Sequence, residues 1–94
     1  MDTHKIQLLL SSLGEQIISD SHAGEVLSVL IKETIKFRDK LKEDRDVTLT
    51  VADTRSALEA LEKYLQGEKW EKGLTSEQAA LLQIWIDRIT LFDK

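Results

Sequence analysis

Apolar residues recur at spacings of three and four through most of this chain, the period an α-helix needs to keep one face dry, and only short polar or glycine-marked links interrupt them. The pattern resolves into four helices at about 3–19, 22–44, 51–66 and 75–92, expected to pack as a small antiparallel all-α bundle because short links make successive helices neighbours. Proline is absent, so glycine supplies the punctuation: Gly67 suits the left-handed residue after the third helix, Gly73 precedes the fourth and Gly24 lies near the start of the second. Gly14 interrupts a helical pattern at a cost of about 1 kcal/mol relative to alanine, which predicts a close helix contact there.

The inner faces follow from the same period. In the first helix Ile6, Leu9, Leu10, Leu13 and Ile17 share a face, with Leu8 and Ile18 off it. Ser21 is placed to cap the second, whose inner side carries Val26, Leu27, Leu30, Ile31, Thr34, Phe37, Arg38 and Leu41. Its outer side is Ser28, Lys32, Lys36, Asp39, Lys40 and Glu43. The third carries Val51, Thr54, Leu58, Leu61 and Leu65, broadened by Ala57 and Tyr64, and Thr50 with Asp53 makes an acidic variant of the capping box.

The fourth helix has more apolar surface than one face needs. Thr75 and Gln78 form a capping box at its start, with Leu74 and Ala79 at the positions of a hydrophobic staple. At about 100° per residue, Ala79, Leu81, Leu82, Trp85, Ile86, Ile89 and Phe92 fill a core-facing arc of roughly 160°. Ala80, Ile84 and Leu91 form a second stripe, set apart by Arg88 on one side and Asp87 and Gln83 on the other. One reading makes this the central helix, touching neighbours on both sides. The other makes Ile84 and Leu91, with Ala80, an interface with a partner or a second copy, as exposed apolar patches often are.

One segment departs from the helical period. Val47-Thr48-Leu49-Thr50-Val51 is β-branched and alternating, as a strand would be. A lone strand has no ladder partner, so residues 46–50 read as an extended connector that tucks Val47 and Leu49 onto the core; an edge pairing across a dimer is the alternative.

Ninety-four residues make one domain, spanning 1–94, and a composition of 41% hydrophobic and 32% charged residues is that of an ordinary globular protein. The net charge of −4 disfavours a nucleic-acid partner, since phosphate binding relies on lysine and arginine displacing counterions. Without cysteine there is no disulfide, thiolate or cysteine-based zinc site. The N-terminal segment lacks the basic lead and apolar run of a secretory signal, and no stretch approaches the length of a membrane span, which sets the expectation of a cytoplasmic protein with no membrane partner.

Signals for chemistry are thin. His4 and His22 lack the further ligands at helical spacing that a metal needs, and both are expected in solvent. The serines have no histidine and carboxylate in a recognised arrangement, and there is no glycine-rich phosphate loop, so neither a reaction, a metal nor a cofactor is expected. From Lys32 to Asp46 the charges are mixed, which reads as a solvated helix face, a basic strip selecting an acidic partner being the alternative. In the loop 66–73, Trp70 stands between glutamates and lysines, either as a lid on the end of the bundle or as an interface anchor.

In size and in the order of helices closed by the start Leu74-Thr75-Ser76-Glu77-Gln78, the chain resembles the small four-helix immunity proteins that protect producers of pediocin-like bacteriocins. That resemblance implies a helical bundle that neutralises a cognate toxin; no functional residue carries over from it. The leading expectation is a non-enzymatic protein-protein interaction module, an adaptor or regulator that self-associates through Ile84, Leu91, Ala80 and Trp70. An immunity or antitoxin-like protein is the second expectation, and a nucleic-acid-binding regulator the third.

Overall fold

Four α-helices make up most of the described residues: α1 Thr3–Gln16, α2 Ala23–Arg45, α3 Val51–Leu65 and α4 Ser76–Phe92. The structure, a computed structural model, describes residues 3–16, 23–70 and 72–92, with side chains at all of these except 13–16, 23 and 92. Ser21, His22, Ile17 and Ile18 lie outside the described residues, as do the side chains of Leu13 and Phe92 and the surroundings of Gly14. The expected helices are therefore present, with boundaries within about a turn of those the period predicts, a normal margin for helix ends. There is no strand among the described residues, and 46–50 is a connector that begins at a left-handed Asp46 and ends at an extended Thr50.

The helices close into a ring in the order α1, α2, α4, α3, each packed on its two neighbours, with α3 and α4 in the most extensive contact. Among the described residues α2 does not meet α3, so these two, successive in sequence, stand diagonally. Diagonal axes lie about 14 Å apart if neighbouring axes are about 10 Å apart. The five residue steps from Asp46 to Val51 reach at most about 17 Å. The strand-like composition of 46–50 thus serves a span that a tight turn could not make, and Leu49, fully buried, anchors it.

Polar pairings fix the helix directions. Arg45 with Glu77, Thr34 with Trp85 and Glu33 with Arg88 run in opposite senses along α2 and α4, which are antiparallel. The Gln78 side chain donates to Asp53 Oδ1 at 2.9 Å, joining the first turns of α3 and α4, so these two helices set out from the same end. Antiparallel packing of each helix with its successor therefore fails at the second and third joints. The second link crosses a diagonal, and the third, residues 66–75, reaches about 33 Å, ample to carry the chain back along α3, about 21 Å long.

The core is the expected one in outline. Ile6 and Leu10 of α1, Val26, Leu30 and Leu41 of α2, Leu49, then Ala57, Leu58 and Leu61 of α3 and Leu81, Trp85 and Ile89 of α4 form one buried cluster. Leu8 is exposed, as its place off the inner face implies. Two assignments are corrected. Tyr64 is half-exposed, because in the last turn of α3 its phenol reaches water, and Ala60 is buried in its stead. Ala79 is exposed, because the core face of α4 centres on Trp85 and Ala79 lies about 120° from it.

The stops of α2 and α3 are left-handed. Asp46 adopts φ 53, its N–H donating to the Lys42 carbonyl at 3.2 Å. Gly67, at φ 76, ends α3 in a Schellman motif: its N–H donates to the Tyr64 carbonyl and that of Glu68 to the Lys63 carbonyl, at 3.1 and 2.9 Å. The Lys63–Glu68 ion pair, 2.8 Å, occupies the place where this motif often carries an apolar contact.

The two capping boxes are wired together. Asp53 Oδ2 accepts from the Thr50 N–H while its Oδ1 accepts from Gln78 Nε2, and Gln78 Oε1 accepts in turn from the Thr75 N–H. Thr50 and Thr75 hydroxyls complete the boxes by accepting from the backbone N–H groups of Asp53 and Gln78. Partial burial pushes the Asp53 carboxyl up, but hydrogen bonds from Gln78 and Thr50 outweigh it and hold the group below its ordinary value. A depressed carboxylate contributes stability that is fully present above the unfolded pKa, near 3.8, and is lost as pH falls through the lower folded value. Asp53→Ala is expected to cost about 1–2 kcal/mol at pH 7, from a cap and one bridging bond. In urea titrations the gap to wild type should narrow below about pH 4; a gap independent of pH would refute a role for the charged carboxylate.

Candidate interaction surface

The orientation of α4 is set by one buried polar pair. Trp85 is fully buried, and its indole N–H donates to Thr34 Oγ1 at 2.8 Å, while the Thr34 hydroxyl donates to the Leu30 carbonyl at 2.7 Å. A bond between two fully buried side chains is short and directional, so it fixes the rotation of α4 about its axis more tightly than apolar packing does. With Trp85 inward, Glu77 and Arg88 fall on the edge toward α2, where they pair with Arg45 at 3.4 Å and Glu33 at 3.3 Å. Glu33 also receives Lys36 at 4.0 Å.

The stripe Ala80, Ile84 and Leu91 lies beside these two ion pairs, within about 80° of Arg88 at 100° per residue. It therefore borders the seam with α2 rather than the outermost face. Leu91 is 59% exposed and Ala80 is exposed, whereas Ile84 is half-buried and is not among the apolar side chains packed on the central cluster. The outermost face is polar, with Gln83 Nε2 donating to Asp87 Oδ1 at 2.8 Å. Extending the register of the pairings puts Ile84 level with the half-buried Phe37 of α2. One exposed leucine and one alanine fall far short of the roughly 800 Å² per partner of a stable interface. The stripe can be the centre of such a patch but not all of it.

The fourth expected contact residue, Trp70, is not part of this stripe. It sits in the link between α3 and α4 and is half-buried. The Lys72 ammonium lies 5.9 Å from its ring centroid. Its indole Nε1 is buried and has no acceptor among the described residues. Lys63, held above its ordinary value by hydrogen bonding to Glu68, borders the same cleft.

One surface feature went unread in the sequence. A groove of about 390 Å³ runs between α1 and α2, floored by Leu27, Ile31 and Ile35 and rimmed by Gln7, Ser28 and Lys32. Leu27, Ile31 and Ile35 recur every four residues, the spacing of a row beside the inner face, and Ile35 extends that row beyond the inner-face residues.

His4 is exposed, and among the described residues no group of three histidine or acidic side chains could hold a metal ion. Lys42 of α2 pairs with Asp46 of the connector at 2.6 Å in solvent, and the half-buried Arg38 pairs with the exposed Asp39 at 3.0 Å. Among the described residues no helix is long and apolar enough to cross a membrane. Comparison of the chain with protein-family models, curated proteins and solved structures finds no match. The resemblance to bacteriocin immunity proteins accordingly gains no support.

Proposed function

We propose that this protein is a non-enzymatic helical interaction module that self-associates through α4, with Leu91 at the centre of the contact and Ala80 and Ile84 beside it. The observation that carries the reading is the 59% exposure of Leu91 on a helix whose core face is already filled by Leu81, Trp85 and Ile89. Burying that side chain contributes about 1.5–3 kcal/mol when complete, so a second copy presenting the same edge gains from both leucines. A two-fold contact of this kind is self-complementary, and Gln83 and Asp87 supply the polar rim such patches have.

Leu91→Glu tests it, because an exposed position tolerates the change to within about 0.5 kcal/mol of monomer stability. Sedimentation velocity across a concentration series is expected to show a concentration-dependent dimer for the wild type and a monomer for Leu91→Glu at equal thermal stability. A wild type that stays monomeric at high concentration, or a Leu91→Glu variant that dimerises equally well, would defeat the reading.

A further inference from the structure

We infer that α2 receives the second copy: in the dimer, α4 of each copy lies antiparallel over α2 of the other, with Lys36 facing Asp87 of the second copy. This rests on the self-association proposed above and specifies its geometry. At 100° per residue, Val29, Glu33, Lys36 and Lys40 share an arc of about 60° on α2. Ala80, Ile84 and Leu91 share one of about 40° on α4, with Asp87 about 20° beyond it. The Glu33–Arg88 pair, 3.3 Å, joins the inner edges of the two arcs, so they form one face, on the side of α2 away from its groove with α1.

Area argues against a contact made by α4 alone. The stripe offers one exposed leucine and an alanine, whereas α2 adds the half-buried Val29, about level with Leu91 in the register of the pairings. It also adds, about level with Ala80, a recess of about 180 Å³ lined by Phe37, Lys40, Leu41, Asp44 and Arg45. From Glu77 to Leu91 the two helices present a face about 21 Å long and about 20 Å wide, roughly 400 Å² in projection, and α4 alone presents half of that. The two-helix face is about half of the roughly 800 Å² per partner of a stable interface, so the dimer is expected to be weak, with a micromolar Kd.

Charge fixes how the copies meet. Glu33 is taken by Arg88 and Glu77 by Arg45, which leaves Lys36 and Lys40 on α2, Asp87 on α4, and Asp44 at the far end of α2. The Lys36 side chain is 76% exposed and reaches Glu33 only at 4.0 Å. A two-fold axis parallel to the helices lays the basic α2 half on the acidic α4 half and preserves their level. Asp87 of one copy then falls within a turn of Lys36 of the other, Leu91 beside Val29, and Asp44 opposite the Arg45–Glu77 pair. An axis across the helices would lay α2 on α2 and α4 on α4, setting lysines against lysines.

A charge reversal tests the arrangement, by sedimentation equilibrium of the full chain up to about 1 mM. Lys36→Glu and Asp87→Lys alone are each expected to raise the dimer Kd at least about tenfold, and the two together in one chain to return it to within about threefold of wild type. Both positions are exposed, and thermal denaturation verifies that each variant folds as the wild type does. A wild type that dimerises and is broken by Leu91→Glu, with single reversals that have no effect or a double variant no better than the singles, overturns the arrangement and leaves self-association standing. A wild type that is monomeric at about 1 mM overturns both.

Discussion

Trp85→Ala is expected to remove about 3–5 kcal/mol of stability, a large share of the 5–15 kcal/mol that holds a typical domain together. The indole is fully buried at the junction of α4 with α2, so its removal leaves a cavity as well as forfeiting its transfer free energy. Equilibrium urea denaturation measures the loss. A double-mutant cycle isolates the polar part. Thr34→Val keeps the volume but takes the acceptor from the indole N–H, at a cost of about 1–3 kcal/mol, whereas the same change in a Trp85→Phe background leaves no donor unpaired. A coupling near zero would mean that the bond contributes nothing to the placement of α4. A sizeable coupling also bears on function, because the rotation fixed by Thr34 decides where Leu91 points. Thr34→Val is then expected to weaken dimerisation beyond what its folded fraction explains.

Local rules carried much of this fold. Both capping boxes, Thr50 with Asp53 and Thr75 with Gln78, are pairs of backbone donors and side-chain acceptors within four residues, so a linear pattern contains everything that makes them. The left-handed stop at Gly67 is local in the same way. The wiring of the two boxes through Asp53 and Gln78 is not, since 25 residues separate the partners and only the packed bundle brings them together. Helix directions belong to this second class. Link length suggested antiparallel neighbours, but a link specifies only the distance it can reach, and 66–75 is long enough to return along α3. Burial at the edges of faces was harder still: Ala79 and Tyr64 sit at margins where tens of degrees of helix rotation decide between core and water. The candidate surface divides along the same line. The stripe of Ala80, Ile84 and Leu91 follows from the period alone, but its place beside the Glu33–Arg88 and Arg45–Glu77 pairs needed the neighbouring helix.

Leu49→Ala is expected to cost about 2–5 kcal/mol, out of proportion for a residue that lies in no helix. Two contributions combine. Leu49 is fully buried in the central cluster, so truncation opens a cavity, and it is the fully buried anchor of a span that must hold the ends of α2 and α3 diagonally apart. Val47, which packs on the same cluster but is only partly buried, provides the comparison: Val47→Ala should cost less than half as much, since less area is lost. Leu49→Val introduces a β-branched residue suited to extended backbone and gives up only one methylene, so a loss of about 1 kcal/mol is expected. Thermal and urea denaturation of the three variants order these effects. If Leu49→Ala were no worse than Val47→Ala, the connector would be a passive tether, and the diagonal placement of α2 and α3 would have to come from helix packing alone. If the expected order holds, the alternating segment that most resembled a strand is an anchored strut, and its period of two places Val47 and Leu49 against the core while Thr48 and Thr50 face water.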